Sequence, residues 1–211
     1  MYLTGPILLF DTFGLNTYFC GRGGVDRWKI FVDARAPIAS RGAARSAKVG
    51  RSTQEHTQMS DLREITNFVQ LTSDVGTSGQ PKRDQFELIW QSGYSAVVNL
   101  ALPTSDHAIA DEGSVVTGLG MSYFHIPVDF KNPTLEDLRT FFGTMNALEG
   151  RKVWVHCVVN ARVSAFMYLY LKHMRGLDDA AARSPVLDRW APRMEPVWAS
   201  FIALDRKSIG V

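Results

Sequence analysis

At 211 residues, with 45% hydrophobic and 21% charged residues and a formal net charge of +2, the chain has the composition of an ordinary globular protein of one domain. No run approaches the ~18 uninterrupted apolar residues of a membrane-spanning helix, so no membrane partner is expected. Two cysteines, Cys20 and Cys157, do not make a disulfide framework, and a reducing, cytoplasmic setting suits a free thiol.

The charge is unevenly spread. Residues 1–58 hold eight Lys/Arg against four Asp/Glu, whereas the remainder holds 15 against 17. The basic balance thus belongs to the N-terminal segment, and the main domain gives no support for nucleic-acid binding. That segment has short apolar patches, Ile7 to Phe10 and Trp28 to Val32, without a sustained period, and then a stretch rich in Ala, Arg, Ser and Gly. It reads as a poorly ordered tail or a translated upstream segment, with no signal peptide and with Cys20 incidental. A coherent domain is expected over residues 59–211, starting at Met59.

From Asn67 the pattern becomes regular. Phe68 to Leu71 is a short strand. Ser78-Gly79-Gln80-Pro81 is a turn, with Pro81 suited to the first turn of a helix that continues through Gln85 to Ser92. Phe86, Ile89 and Trp90 share one face of it, and Gly93 ends it in the left-handed conformation. Ala96 to Leu100 is a near-continuous apolar strand of the kind found in buried parallel sheets. Asp106 to Leu119 reads as a weakly amphipathic helix stopped by Gly120, with Glu112 expected in a structural ion pair. Ser122 to Val128 is a strand, and Asp129 to Pro133 a loop. Thr134 caps a helix from Leu135 to Leu148, with Glu136 and Asp137 in its first turn and Leu138, Phe141, Phe142 and Met145 as its buried stripe. Past Gly176 the chain holds one or two helices, with Val197, Trp198, Phe201, Ile202 and Leu204 packing on the domain. Strand and helix alternate without repeats, which implies an α/β fold with a mostly parallel central sheet flanked by helices. Ligands in such sheets bind beyond the carboxyl ends of the strands.

The chemistry concentrates in Val153 to Ser164. Val153-Trp154-Val155-His156 has the β-branched and aromatic composition of a buried strand, and Arg162 to Arg175 reads as a helix buried nearly all round. Cys157 therefore sits where a central strand ends and a helix is about to start. The first N–H groups of a helix lack internal partners and its dipole is positive there, so the junction is an anion site. A sulfur nucleophile beside an oxyanion hole points to covalent phosphoryl transfer.

This stretch resembles the signature of cysteine-dependent phosphatases of the protein-tyrosine and dual-specificity superfamily: His-Cys, five residues, Arg, then Ser or Thr. Here only Val158, Val159, Asn160 and Ala161 separate Cys157 from Arg162, and Asn160 stands where the family has Gly. Aligned without a gap, Ser164 meets the family's Ser/Thr but Val163 meets its Arg. With a one-residue deletion Arg162 is restored and Ser164 slips, and the sequence does not choose between the two. One residue on a helix is a rotation of about 100°. Asn tolerates positive φ, so Asn160 could make the turn that Gly usually makes. Further pieces in order, among them Val98-Asn99-Leu100 and Pro127-Val128-Asp129, are similar to a bacterial dual-specificity-like subgroup of the domain-of-unknown-function type.

The resemblance implies a protein-tyrosine-phosphatase-like fold and a role for each residue. Cys157 would attack phosphorus and form a phosphocysteine. The N–H groups of Val158, Val159, Asn160, Ala161 and Arg162 would cradle the phosphate, with the Arg162 guanidinium holding two of its oxygens. His156 would orient and activate the thiol, Ser164 would bond it, and Asp129, in a loop able to close over substrate, would be the general acid. The substrate would be a phosphorylated protein or small molecule. No cofactor is implied, and His107, His125 and His173 lack metal-ligand spacing, so no metal is expected. Two alternatives stay open: a rhodanese-like sulfurtransferase, whose loop has this six-residue length and would carry a Cys157 persulfide, and a pseudophosphatase that binds phosphate without turnover.

Overall fold

The computed structural model describes residues 62–211; the expectations for residues 1–58, for Met59 and for Cys20 lie outside them. Five strands form one sheet in the order β1-β2-β5-β3-β4, where β1 is Val69–Gln70, β2 Val75–Ser78, β3 Ala96–Asn99, β4 Ser122–His125 and β5 Val153–His156. All neighbours are parallel except β1 against β2. The predicted mixed α/β architecture with a mostly parallel sheet is thus the one observed. The middle strand, β5, carries the residues that lead to Cys157.

Side chains alternate across the sheet as strand geometry demands. On one face Ala96, Val98, Val153 and Val155 join a large core with helices α3, Leu135–Ala147, and α4, Ala161–Met174. On the other face Val97 and Trp154 meet Phe86 and Ile89 of helix α1, Gln85–Gln91, and Val116 of helix α2, Glu112–Gly118. Both faces are covered, which is why β3 and β5 are buried throughout. Helix α4 buries Arg162 to Leu171 without a break, so it is a core element rather than an amphipathic one. Thr134 caps α3 through a reciprocal pair: Asp137 N–H donates to its Oγ1 at 3.1 Å, and its own N–H donates to Asp137 Oδ2 at 3.0 Å. Gly93 takes φ +86° after α1, as expected of a glycine at a helix end.

Several boundaries differ from expectation. Strand β2 is absent from the predicted elements, because Val75-Gly76-Thr77-Ser78 has turn-like composition. Gly76 is required there: a Cβ would meet Tyr94 Oη at 2.5 Å and Trp154 Cε3 at 2.8 Å. Pro81 lies ahead of α1, which starts only at Gln85. Residues 106–111 are loop, with His107 at φ +62°, and α2 begins at Glu112. Strand β4 ends at His125 before Pro127, although Ile126 N–H still donates to Asn99 O at 2.9 Å. After α4 come four short helices instead of one or two: α5, Asp179–Ala182; α6, Pro185–Trp190; α7, Pro196–Ile202; and α8, Arg206–Ile209, with a 3-10 turn over Ala191–Arg193. Trp198 and Phe201 pack inward as predicted, but Val197 is exposed.

Candidate active site

Strand register sets up the site. Ser78, His156, Asn99 and His125 are the last residues of β2, β5, β3 and β4, and they lie in one row across the sheet. Cys157 follows at the centre of that edge. It lies at the floor of a cavity of about 350 Å³ that Val158, Val159, Ala161, Arg162, Phe130, Thr104, Ser105 and Asp106 also line.

The loop after Cys157 is held by its carbonyl groups. Gln80 N–H donates to Val158 O at 3.0 Å, and Asn67 Nδ2 donates to Val159 O at 3.0 Å. Asn160 answers from inside the loop, its Nδ2 donating to Asn67 O at 2.8 Å and Thr77 Oγ1 at 3.2 Å. Asn160 stands at φ +70°, the left-handed turn expected of it, and is the N-cap of α4. No backbone carbonyl among the described residues accepts from the N–H groups of Val158, Val159, Ala161 or Arg162. Carbonyls tied back with amides left over is the arrangement of an anion-binding nest. Gly79 lets the neighbouring chain approach: a Cβ there would meet Val158 O, a backbone atom, at 2.6 Å. Gly79→Ala is therefore expected to push the loop out of register and weaken orthovanadate binding at least about tenfold, the cost of one good hydrogen bond. Titration of the folded variant with vanadate checks this.

Arg162 is buried, and its Nη1 donates to Leu100 O at 3.0 Å and Val128 O at 2.7 Å. These two carbonyls, from the chain just past β3 and β4, fix the guanidinium over the sheet edge. Its Nε and Nη2 make no hydrogen bond among the described residues, and the side chain lines the cavity with Cys157. Arg162 and Cys157 line the same cavity despite the shortened spacing, with Arg162 on a helix that starts at Ala161 after the turn at Asn160.

Beneath the loop lies a polar cluster. Glu112 is buried on α2 and accepts from Gln80 Nε2 at 2.5 Å, Asn99 Nδ2 at 2.9 Å and the Tyr123 hydroxyl at 3.0 Å, while His156 Nε2 lies 3.0 Å from its Oε1. Burial works to raise the Glu112 pKa, but the hydrogen bonds and charge of His156, with the bonds from Gln80 and Tyr123, prevail and hold it below its ordinary value. Burial, with the Glu112 carboxylate alongside, pushes the Tyr123 phenol upward. The expected structural pair of Glu112 is therefore with His156. Spacing alone did not name Glu112, Gln80 or Tyr123 as site residues; only the row of strand ends brings them together.

Two expected residues stand elsewhere. Ser164 Oγ donates to Ala161 O at 2.7 Å, one turn back on its own helix, so its hydroxyl is engaged there and not with the thiol. Asp129 is exposed, its Oδ1 accepts from Lys131 N–H at 2.9 Å, and it does not line the cavity, though its neighbour Phe130 does. The acid among the residues lining the cavity is Asp106, itself exposed, in the stretch expected to open a helix. Among the described residues, no group of three or more His, Cys, Asp or Glu is placed to hold a metal ion.

A mostly parallel sheet, a cysteine after its middle strand and an arginine on the following helix give the domain a protein-tyrosine-phosphatase-like fold. No family model matches the chain, and no curated protein matches it. Among solved structures, a candidate phosphatase of the DUF442 family from Shewanella putrefaciens CN-32 is 36% identical, with a TM-score of 0.62 over 68% of this chain and 93% of that one. The chain belongs to this family. The fold is also that of Tk-PTP (19% identity, TM-score 0.53, covering 68% of this chain and 96% of that one) and of Pseudomonas aeruginosa TpbA (15%, 0.53, 68% and 88%).

Proposed function

We propose that the protein hydrolyses phosphomonoesters in two steps through a phosphocysteine on Cys157. The observation that carries this reading is the cavity that Cys157 and Arg162 share, floored by a loop whose carbonyls are tied away from it. The thiolate attacks phosphorus, the bond to the ester oxygen breaks, and that oxygen leaves with a proton. Water then attacks the phosphocysteine, the P–S bond breaks, and phosphate departs. The amides of Val158 to Arg162 and the Nε and Nη2 donors of Arg162 meet the three equatorial oxygens, where charge gathers in the transition state.

Among the described residues lining the cavity, Arg162 is the only cation and Asp106 the only acid. Such a wall suits a single phosphate on an otherwise neutral group, on a protein side chain or a small molecule, better than a polyphosphorylated ligand. A reducing cytoplasm keeps such a thiol active, and no described helix is long and apolar enough to cross a membrane.

The test is turnover of p-nitrophenyl phosphate at mildly acidic pH, with rapid quenching to trap a phosphorylated Cys157 peptide. Vanadate binding without turnover would establish a pseudophosphatase instead, and Cys157-dependent thiocyanate formation from thiosulfate a sulfurtransferase. Arg162→Lys keeps the charge but loses the two-pronged contact and the bonds to Leu100 O and Val128 O. It is expected to lower kcat/KM by about 10²-fold or more, the loss typical of a transition-state donor.

A further inference from the structure

An asparagine at the start of a helix ordinarily turns its side-chain oxygen forward, to an N–H group two or three residues on. Asn160, the N-cap of α4, makes no such bond, and its Oδ1 is buried without a hydrogen bond among the described residues. We infer that Asn160 is a positioning residue of the phosphate site: its side-chain amide reaches backward to shape the loop and leaves the first amides of α4 to phosphate. The inference rests on the phosphatase reading above.

The backward reach is firmly anchored. Asn160 is fully buried, and its Nδ2, with two hydrogens to give, has two acceptors, Asn67 O at 2.8 Å and Thr77 Oγ1 at 3.2 Å. Thr77 is buried on β2, opposite Val155 of β5, and its hydroxyl donates to Val69 O at 3.4 Å, so its oxygen is left to accept. Asn67 stands at φ +51° between two fixed neighbours: Thr66 O accepts from Gly79 N–H at 2.7 Å, and the Phe68 ring stacks on that of Trp154 at 5.2 Å. The hydrogen bonds made by the carbonyls of Val158 and Val159 and by the Asn160 side chain all leave the loop, to Gln80, Asn67 and Thr77. The shape of the loop is therefore set by what holds it from outside.

The backbone explains why the side chain points this way. A usual N-cap is extended, whereas Asn160 is left-handed, at φ +70° and ψ 3°, and its carboxamide turns off the helix start. This arrangement forgoes a stabilising cap and buries an acceptor without a partner, two costs that stability alone does not favour. In exchange the helix start stays open. An oxygen turned forward would take the N–H of Arg162 or Val163, the second and third residues of α4, and would compete with phosphate for them.

Asn160→Gly tests this, because glycine accepts the positive φ and removes only the carboxamide. In the folded full-length chain it is expected to weaken orthovanadate binding about 10–10²-fold, the cost of one or two hydrogen bonds. It should lower kcat on p-nitrophenyl phosphate by a similar factor and move KM less, since the amides meet charge that gathers in the transition state. Asn160→Asp keeps the size but offers acceptors only, and should lose at least as much. Thr77→Val removes one of the two acceptors at nearly constant shape and should show a smaller loss of the same kind. Combined with Asn160→Gly it should add nothing, because it acts through Asn160. A thermal melt of each variant sets the temperature at which it is folded. An Asn160 that only stabilised the fold would lower Tm in Asn160→Gly and leave vanadate affinity and kcat of the folded variant unchanged. That result overturns the inference, as does a double variant whose losses multiply. Wild-type protein that binds vanadate without Cys157-dependent turnover overturns the phosphatase reading alone, and the vanadate series then still decides the role of Asn160. Wild-type protein that binds no vanadate overturns both.

Discussion

Cys157→Ser should abolish p-nitrophenyl phosphate hydrolysis, a loss on the order of 10⁴–10⁶-fold as expected when a nucleophile is removed, while orthovanadate still binds. The two halves of this expectation come from different parts of the site. Serine is close to cysteine in size, so the floor of the cavity and the tied-back loop from Val158 to Ala161 persist, and the cradle is made of backbone amides and Arg162. A serine hydroxyl, however, is a weak nucleophile without a base to take its proton. His156 is not free to serve through Nε2. Its Nε2 is committed to Glu112, and its ring packs edge-on against Phe86, on the face of the sheet opposite the Cys157 core. Initial rates and a vanadate titration on the same preparation check both halves. Turnover by Cys157→Ser well above the uncatalysed rate would remove the phosphocysteine from the mechanism.

Glu112→Ala is expected to destabilise the domain by about 3–5 kcal/mol, the usual range when one member of a buried charged cluster is deleted. The variant leaves the Gln80 and Asn99 amides, the Tyr123 hydroxyl and His156 facing a void with no acceptor. For a domain of this size each kcal/mol lowers Tm by roughly 2–4 °C, so a drop near 10 °C is the result to look for in a thermal melt. Glu112→Gln keeps one acceptor oxygen and should lose much less. The pH dependence has a definite sign. The folded protein holds the Glu112 pKa below its ordinary 4.5, so the unfolded chain binds the proton more readily. The stabilisation is present above pH 4.5 and fades as pH falls through the folded value, and the gap between wild type and Glu112→Ala should narrow on acidification. Activity should fall too, because Glu112 holds Asn99, Asn99 holds Ala101 N–H, and the adjoining Leu100 carbonyl holds Arg162.

The central strand and its helix were readable because local chemistry and burial agree there. Val153 to His156 is β-branched and aromatic, and no Gly or Pro interrupts the chain from Arg162 to Arg175. Helix α3 was readable from Thr134 and Asp137, which announce a start by their spacing alone. Strand β2 was hidden because its glycine answers to Tyr94 and Trp154, residues distant in sequence. Residues 106–111 carry no helix breaker, yet they are loop, with His107 turned to positive φ. Cys157 and Arg162 could be named from a motif, whereas the start of α4 at Ala161, on the turn at Asn160, could not. Ser164 was named from its place in the motif, and the motif does not show that its hydroxyl meets the Ala161 carbonyl on its own helix. Asp129 was named from its place after a strand and the resemblance; the path of its loop, which ties the carboxylate to Lys131 N–H, is not legible in the sequence.

The ring of Phe130 lies 5.9 Å from that of Trp190 and 5.4 Å from that of Trp198, and Trp198 Nε1 donates to the Phe130 carbonyl at 2.8 Å. Trp198 in turn meets Phe201 and Phe166. The small C-terminal helices thus form the masonry behind one side of the cavity that Phe130 and Cys157 line. A chimera that joined this sheet and α4 to another relative's final helices would inherit half a wall from each parent. Recombination within this lineage therefore has to carry the tail and the Phe130 loop together, however far apart they lie along the gene.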